Sequence, residues 1–523
     1  MSVAITLALQ LELNGVGGGW TDVAADVRMG DGLTIDYGIQ GATALDRVAS
    51  TGHCTFVLDN MATNSAGLIG YYSPNHANVR SGFGLGIGVR VAITYSGTTY
   101  YKFRGVLDSI QPEPGVSRGR RVFCTAVDWM DEAARWKVTS LATQVGQRSD
   151  QVFSTIVAAV PSQPAAQSVA TGLSTFPYAL DTSRDESMMA LSEFQRVAVS
   201  EPGYIFIKGD TTQGGTLVFE NRQTRLINTT NAVTFDNTML QMDVARLRSD
   251  VLNKTQVTVH PRQVDAAATT VLYSLQQPTT NSIAPGQTLV LLGPYRDPNQ
   301  RAARVGGTAM VSPVSTTDYT MHSAADGTGS DLTADFSVTA ALGGNGARFT
   351  ITNNGATAGY ITKLQCRGKG IYDYENALME SSDSTSITAY GEHVLSFDMW
   401  YQSDPVFGQA VSEWLLHLFD SALTYVNRVG FYASDTAALM SAALTSDIST
   451  RVGLVETVSG LTDVIPSSSA TNGYYINSVR LQIGAGDLLY CSWGLTPADT
   501  LQYWLLGQVG ASEVGVTTRL GYI

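Results

Sequence analysis

The stretch that decides the fold class reads VRVAITYSGTTYYKF and spans residues 89–103. Apolar side chains take every second position in residues 89–95, and the alternation resumes in residues 99–103. A period of two is typical of a strand with one buried face. The pair Ser96-Gly97 separates the two runs and is typical of a hairpin turn. The stretch therefore predicts an antiparallel β-hairpin.

The same period recurs on both sides of this hairpin. Residues 3–13 alternate between aliphatic and small or polar side chains, and residues 122–126 form a further short run of this kind. Short alternating runs separated by turn residues favour antiparallel β-structure. We therefore expect residues 1–135 to form a compact β-barrel or sandwich.

Helical signals appear in residues 136–260. Ser149 or Asp150 can cap a helix with an apolar stripe that ends before Pro161. Residues 188–197 carry a second apolar stripe at helical spacing, and a hairpin pattern follows it. This part of the chain is predicted to combine helices with a small β-element.

The second half of the chain returns mainly to β-patterns. Residues 265–375 are rich in Gly, Ser, Thr and Asn, which predicts a separate β-sandwich inserted into the surrounding fold. Within it, Asn354-Gly355 has the composition of a hairpin turn. Residues 376–523 combine strands with one amphipathic helix, which Asp404 caps and Pro405 begins.

The composition points to assembly with other proteins. Charged residues make up 15% of the chain, whereas soluble domains average roughly 25%. Uncharged surface is easily desolvated, so we expect much of it to be buried against partner subunits. The net charge is −13, and the densest basic group is Arg118, Arg120 and Arg121. Because this group is small, we expect no sequence-specific nucleic-acid binding and no general affinity for phosphate.

The cysteines and the hydropathy of the sequence indicate in which cellular compartment the protein is made. Cys54, Cys124, Cys366 and Cys491 form no CxxC pair, which excludes a zinc ribbon and predicts free, buried thiols from a reducing cytoplasm. The N-terminal residues lack the basic segment of a signal peptide. The sequence contains no run of 18 apolar residues, so no membrane span is predicted.

The sequence contains only poor matches to known catalytic, metal-binding and phosphate-binding motifs. Gly510-Ala-Ser512 lacks the closing glycine of a nucleophile elbow. The six histidines stand singly, without the spacing of zinc ligands. The glycine-rich run at residues 84–88 precedes a strand instead of joining a strand to a helix, so it predicts a connection and not a phosphate loop.

One cluster of acidic residues has the composition of a glycosidase site, in which two carboxylates lie about 5 to 9.5 Å apart. Asp128, Asp131 and Glu132 lie close together in sequence, beside Trp129 and Trp136. This arrangement favours a short helical turn with one exposed and one anchoring face. We therefore predict no catalytic residues, no cofactor-binding residues and no metal-binding residues for this chain.

Short motifs follow one another in a fixed order along the chain. They are LDN at 58–60, NSAG at 64–67, YSP at 72–74, GVRV at 88–91, FRG at 103–105, AVD at 126–128, EPGY at 201–204, FENR at 219–222, VLN at 251–253, LQCRGKGI at 364–371, SITAYGE at 386–392, LTPAD at 495–499, WLLG at 504–507 and TRLGY at 518–522. In this order the chain resembles the hub proteins of siphophage tails, also called minor tail proteins.

The resemblance implies a mainly β, multidomain fold with a few helices, in which small β-barrel hub domains accompany an inserted β-sandwich. It implies an N-terminal β-barrel hub domain at 1–135 and a second hub domain at 136–260. The inserted sandwich then occupies 265–375, and a C-terminal α+β hub domain occupies 376–523. Because the motifs continue to residue 522, we expect no appended lytic domain.

The resemblance also implies a function in the virion. Related hubs are homotrimers at the tail tip that contact the distal tail protein, the tape measure protein and fibre or spike proteins, and they act in host attachment and genome ejection. The protein is expected to be made in the host cytoplasm and to have no enzymatic activity. Threefold closure would protect exposed strand edges, and an acidic or neutral channel lining would let DNA slide past.

Two other functions stay open at this stage. The sandwich at 265–375 and the Tyr and Trp content are compatible with a receptor-binding or carbohydrate-binding tail protein. Because many tail proteins degrade cell-wall glycans, a cell-wall-degrading tail enzyme is the second alternative.

Overall fold

The structure is a computed structural model that describes residues 3–15, 17–41, 43–114, 120–138, 141–180, 188–228, 230–236, 238–245, 247–279, 281–421, 425–455, 473–486 and 488–498. The motifs WLLG and TRLGY, the last residue of LTPAD, and Gly510-Ala-Ser512 lie outside these ranges. Within them, the structure contains no helix with the length and apolar character needed to cross a membrane.

Strands dominate the described secondary structure. Residues 1–135 contain β1 (Thr6–Leu11), β2 (Thr21–Asp22), β3 (Leu33–Gly38), β4 (Ser50–Asp59), β5 (Gly88–Tyr95), β6 (Thr98–Pro112) and β7 (Arg121–Val127). Residues 136–260 contain β8 (Gln144–Arg148), β9 (Ala166–Val169), β10 (Thr175–Ala179), β11 (Tyr204–Lys208), β12 (Thr216–Glu220), β13 (Val233–Asp236), β14 (Gln241–Ala245) and β15 (Lys254–Val259).

The later strands continue this numbering. Residues 261–375 contain β16 (Arg262–Val264), β17 (Thr270–Ser274), β18 (Thr288–Pro294), β19 (Gly306–Val311), β20 (Tyr319–His322), β21 (Phe336–Leu342), β22 (Gly346–Asn353) and β23 (Tyr360–Asp373). They are followed by β24 (Ala377–Ser382), β25 (Val394–Met399), β26 (Tyr425–Tyr432), β27 (Arg451–Val455), β28 (Gly473–Ile483) and β29 (Leu489–Pro497).

The helices are short and lie between the strands. They are α1 (Trp129–Arg135), α2 (Ser149–Ala159), α3 (Ala190–Ser200), α4 (Ser384–Tyr390), α5 (Pro405–Phe419) and α6 (Ala437–Thr445). Single 3-10 turns occur at Ala24–Asp26, Arg248–Asp250, Thr333–Asp335 and Ala433–Asp435. The expectation of a mainly β protein with a few helices is confirmed.

Strands from both ends of the chain form one large sheet. Thirteen described strands belong to it, in the order β14-β26-β29-β28-β3-β4-β7-β6-β5-β1-β2, with β13 and β27 attached through β28. We expected the first 135 residues to form a compact β-barrel or sandwich; the described strands form an open path and no closed barrel. The reason is that β28 pairs with β3, so a C-terminal strand occupies the edge that β3 would need for closure.

The hairpin predicted from residues 89–103 is confirmed as β5 and β6. Its turn residues have positive φ, 48° at Ser96 and 81° at Gly97, as a two-residue turn with a right-handed strand twist requires. The pairing shifts by one residue, since Val91 lies opposite Phe103 whereas Ala92 lies opposite Tyr101. Lys102 is therefore the extra residue of a β-bulge, and the bulge interrupts the predicted alternation.

A second hydrophobic core is formed mainly by buried side chains of residues 130–219. Its helix α2 begins after Arg148, whose backbone N–H donates to Gln151 Oε1 at 2.9 Å. Val152 and Phe153 are fully buried, so the predicted apolar stripe faces this core. The strands β11 and β12 pair antiparallel, and β9 joins β12 in parallel.

The helix predicted from Asp404-Pro405 is confirmed as α5. Asp404 Oδ1 accepts a hydrogen bond from Val406 N at 2.9 Å, which is the expected N-terminal cap. Val411 and Leu415 are buried against a three-stranded sheet in the order β24-β15-β25. This sheet leads into and out of residues 265–375.

The strands from β16 to β23 belong to two sheets that share one core, which is the arrangement of a sandwich; the bounds 265–375 stay a prediction. One sheet is organised by the long strand β23, which pairs with β16, β17, β19 and β20. The other has the order β18-β22-β21. The hairpin turn predicted at Asn354-Gly355 is wrong, because the pair connects β22 to β23 and these strands belong to different sheets. Neither residue adopts a positive φ.

Candidate functional surface

Two rows of mainly uncharged polar side chains cross the large sheet, and all of them except buried Ser492 are half-buried or exposed. Cross-strand partners point to the same face. One row of such partners crosses seven strands, from β26 to β6: Tyr432, Tyr490, Gln482, Thr34, Thr55, Thr125 and Ser109. A second row is Ser492, Arg480, Asp36 and His53. These two rows are called the polar face below.

The charges on the polar face compensate one another. Arg480 NH1 lies 4.0 Å from Asp36 Oδ2, and the two residues are direct cross-strand partners. The longer row contains no charged side chain. Pairs at this exposure contribute at most about 1 kcal/mol, so their importance here is that the face has almost no net charge.

The two ends of the large sheet carry unpaired strand edges among the described residues, completely at β14 and partly at β1. At one end, β14 pairs on one side only, with β26. At the other end, β2 pairs with Gln10 and Leu11 of β1. Val23 N also donates to Leu9 O, and Val3 N donates to Ser434 O, so this edge is only partly unpaired. Leu240 and Leu247 flank β14 and are 63% and 52% exposed. Free edges with apolar flanks favour pairing with another chain.

A buried polar cluster joins the N-terminal and C-terminal parts of the chain. The Lys102 ammonium donates to Asp447 Oδ2 at 3.3 Å and to the Leu444 carbonyl at 3.2 Å. Asp447 Oδ2 also accepts from Tyr37 Oη at 2.9 Å and from Gly209 N at 3.1 Å. Burial and the nearby Asp447 carboxylate raise the pKa of the Tyr37 phenol, so this hydroxyl acts as a hydrogen-bond donor.

A second buried cluster surrounds Arg225. Its guanidinium donates to Ser449 Oγ at 3.0 Å and to Asn477 Oδ1 at 2.9 Å. It lies 3.5 Å from the centre of the Tyr204 ring, and Glu220 Oε2 is 3.7 Å away. Arg225 thus connects Glu220 of β12 with Asn477 of β28. These contacts hold the strands of the second core on the large sheet.

The first motif of the sequence, LDN, builds a rigid loop. Asn60 Oδ1 accepts from Tyr72 N at 2.8 Å, and Asn60 Nδ2 donates to Ser73 Oγ at 2.7 Å. Asn64 Oδ1 accepts from the backbone of Ala66 and Leu68. The NSAG and YSP motifs are therefore held by side chains of the same loop.

This loop presents apolar side chains to solvent. Met61, Leu68 and Ile69 are 38%, 42% and 44% exposed. Residues 61–75 contain no charged side chain. A rigid, uncharged loop with exposed apolar side chains is typical of a contact with another protein.

The acidic group at the AVD motif serves the local structure. Asp128 is buried, and its Oδ1 accepts from Met130 N at 3.0 Å as the cap of α1. A β-carbon on Gly52 would lie 2.5 Å from Asp128 Oδ2, so glycine is required there. Burial raises the pKa of Asp128 to about 7. Asp131 and Glu132 instead form ion pairs with Arg135.

The other residues singled out in the sequence are scattered. Among the described residues, no three His, Cys, Asp or Glu side chains lie close enough to hold a metal ion. The four cysteines are free and buried, as predicted. Burial raises the pKa of the Cys124 thiol to about 12 and that of Cys366 to about 11. The glycine-rich run at 84–88 ends at the start of β5, in agreement with a connection.

Sequence reasoning missed Lys102, Asp447 and Arg225 as structural residues. Nothing in the local pattern marks the bulge that turns Lys102 inward. The loop at residues 60–73 was recognised only as a set of motifs, although repeated Asn, Ser and Gly are the residues that form side-chain to backbone hydrogen bonds.

Comparisons with known proteins give similarities in structure. No protein-family profile and no curated protein sequence matches the chain. A protein from Neisseria meningitidis matches at 9% identity and a TM-score of 0.48, over 94% of this chain and 96% of its own. A Shewanella oneidensis prophage protein matches at 8% identity and 0.46, over 95% and 98%. A Listeria monocytogenes prophage protein matches at 5% identity and 0.41, over 93% and 94%.

Each of the three is a tail protein. The Shewanella and Listeria proteins are described as prophage tail proteins and the Neisseria protein as a tail protein.

Proposed function

We propose that this protein is a structural, non-enzymatic component of a bacteriophage tail tip, where three copies form a hub. The observation that carries the proposal is the large sheet whose two ends differ, with an unpaired edge at β14 and a partly unpaired edge at β1 and β2. Two different edges that pair between copies make a head-to-tail contact, and such contacts close into a ring when the rotation allows it. The order of the hub motifs in the sequence supports the number three.

In this ring the polar face would line the central channel. Its longer row of Tyr, Gln, Thr and Ser side chains has no charge, and Arg480 is compensated by Asp36. Such a wall offers DNA few groups to bind, because affinity for the phosphate backbone comes from Lys and Arg that release counterions. The function of the face is passage of the tape measure protein and of DNA.

The loop at residues 60–73 would contact a neighbouring tail protein. Its apolar side chains are held in place by buried Asn60 and Asn64, so little conformational entropy is lost when a partner covers them. Within the proposed hub, the partners are the distal tail protein on one side and fibre or spike proteins on the other.

The oligomeric state tests the proposal directly. We expect the purified full-length protein to have the mass of a trimer by light scattering. The double variant Leu240→Lys/Leu247→Lys should be monomeric, because it places charges beside the β14 edge. Leu292→Lys is the matched control, since Leu292 is 74% exposed on the inserted sandwich, and it should remain trimeric. A monomeric wild-type protein in intact tail tips would refute the hub.

The alternative as a carbohydrate-binding protein gains little support from the sandwich. Sugar binding by stacking needs exposed aromatic rings, but Tyr295, Tyr319, Phe336 and Phe349 are buried in its core. Tyr374 is 54% exposed and lies at one end of β23. Binding of the full chain to host cell walls, and zymography on host peptidoglycan, would reveal adhesive or lytic activity; we expect neither.

A further inference from the structure

Two arginines face each other across neighbouring strands of the N-terminal sheet without an acidic partner. Arg90 of β5 is the direct cross-strand partner of Arg104 of β6, and on its other side it pairs with Gln10 of β1. Like charges directly opposite each other destabilise a sheet. Among the described residues, no carboxylate lies within 4.0 Å of either guanidinium group.

The two guanidinium groups are held by neutral side chains. Arg90 Nε donates to Gln10 Oε1 at 2.5 Å, and Arg104 NH1 donates to Gln213 Oε1 at 3.0 Å. Both groups lie against the same indole ring, with Cζ of Arg90 4.4 Å and Cζ of Arg104 5.3 Å from the centre of Trp20. Glutamine and indole orient the two guanidinium groups but supply no negative charge.

The nearby carboxylates accept backbone hydrogen bonds, and Glu12 acts on Arg90 only beyond ion-pair distance. Glu12 Oε1 accepts from Gly17 N at 2.6 Å, and Asp22 Oδ1 accepts from Ala24 N at 2.9 Å. Burial lowers the pKa of Arg90, and the charge of Arg104 lowers it further. Glu12 offsets part of this effect, but neither arginine has a carboxylate in direct contact among the described residues.

We propose that Arg90, Arg104 and Trp20 form a binding site for the carboxylates of an acidic protein segment. A pair of oriented guanidinium groups is suited to bidentate hydrogen bonds with carboxylates. Binding would remove the repulsion between the two arginines. The site lies near the β1 edge, and the inference rests on the contacts of Arg90, Arg104 and Trp20 and not on the proposed ring.

A nucleic acid fits this site less well than an acidic peptide. Two arginines would neutralise about two phosphates, whereas proteins that bind DNA firmly make roughly 6–10 such contacts. Single-stranded nucleic acids also need a free aromatic face for base stacking. The Trp20 ring is already in contact with both guanidinium groups.

Titration of the full-length protein with a hexaglutamate peptide, followed by calorimetry at low salt, tests the inference. We expect binding to the wild-type protein and at least tenfold weaker binding to Arg90→Gln and to Arg104→Gln. Arg480→Gln is the matched control, because Arg480 lies on the same sheet but already pairs with Asp36. It should bind within twofold of the wild type.

Thermal unfolding of the same variants separates a binding role from a structural one. Because Arg104→Gln removes a like-charge pair, its unfolding temperature should equal or exceed that of the wild type while binding is lost. The inference is overturned if the wild type does not bind the peptide, or if both arginine variants bind it unchanged. It is also overturned if inorganic phosphate or duplex DNA binds through these arginines as tightly as the peptide.

Discussion

Lys102 Nζ lies 3.3 Å from Asp447 Oδ2, although the two residues are 345 positions apart in the sequence. Both side chains are almost entirely buried, and the pair joins β6 to the residues after α6. The ammonium group also donates to the carbonyls of Leu444 and Ser446. The pair therefore holds the C-terminal strands on the N-terminal ones.

Removal of the lysine should destabilise the whole fold. Lys102→Met leaves the Asp447 carboxylate buried without its cation, which costs about 3 kcal/mol or more of the free energy of unfolding. Urea denaturation measures the loss. Arg135→Met is the control, because Arg135 is 62% exposed in its pair with Asp131 and should cost less than about 1 kcal/mol. Equal losses in the two variants would contradict the structural role of the buried pair.

The loop at residues 60–73 should depend on Asn60. Asn60→Ala removes the acceptor of Tyr72 N and the donor to Ser73 Oγ, and each buried group left unpaired costs about 1–3 kcal/mol. We expect faster amide hydrogen exchange throughout this loop. Asn75→Ala, at an exposed position, should leave the exchange rates unchanged; loop protection that survives Asn60→Ala would contradict the prediction.

The stability of the protein should fall as the pH rises between about 4 and 7 because of Asp128. Burial raises the pKa of this carboxyl to about 7 from its ordinary value of 3.8. Between these values the folded protein binds the proton and the unfolded chain releases it, so unfolding becomes easier as the pH increases. At pH 8 the free energy of unfolding is lower by on the order of 4 kcal/mol, because each pKa unit corresponds to about 1.36 kcal/mol.

The variant Asp128→Asn isolates this effect, since asparagine also caps helices. Denaturation at pH 5 and pH 8 should show that the variant loses less stability over this range than the wild type. If both proteins have the same pH slope, the proton on Asp128 does not control stability.

The four thiols should be unreactive in the folded protein. All are buried, and burial raises the pKa values of Cys54, Cys124, Cys366 and Cys491, so little nucleophilic thiolate is present at neutral pH. A colorimetric disulfide reagent at pH 8 should react with no thiol before urea is added and with four afterwards. Rapid reaction of any thiol in the native state would disprove the burial.

The helix at Asp404-Pro405 and the hairpin at residues 89–103 were predictable because their signals are local. A cap followed by proline, or an alternating run around Ser96-Gly97, acts within one element. The barrel expected for residues 1–135 was not observed, because the partner of β3 is β28, about 440 residues later. Short-range patterns carry no information about such a pairing.

Of the candidate surfaces, one was recognisable from local sequence and two were not. The motif LDN already marked the loop around Asn60. The polar face and the Arg90–Arg104 site appear only when strands are placed in register, since register decides which side chains become neighbours. The domain division at residues 135, 260, 265 and 375 stays a prediction.

The sequence by itself determined the mainly β class, the positions of helices such as α2 and α5, and the burial of the cysteines, because alternation, capping and apolar stripes are properties of consecutive residues. Tertiary structure alone decided that the two ends of the chain share one sheet, that a bulge turns Lys102 toward Asp447, and that Arg90 faces Arg104. The physical reason is that hydrogen bonds between strands set the register, and the register depends on a bulge within the β5–β6 hairpin and on strands far apart in the chain for the shared sheet.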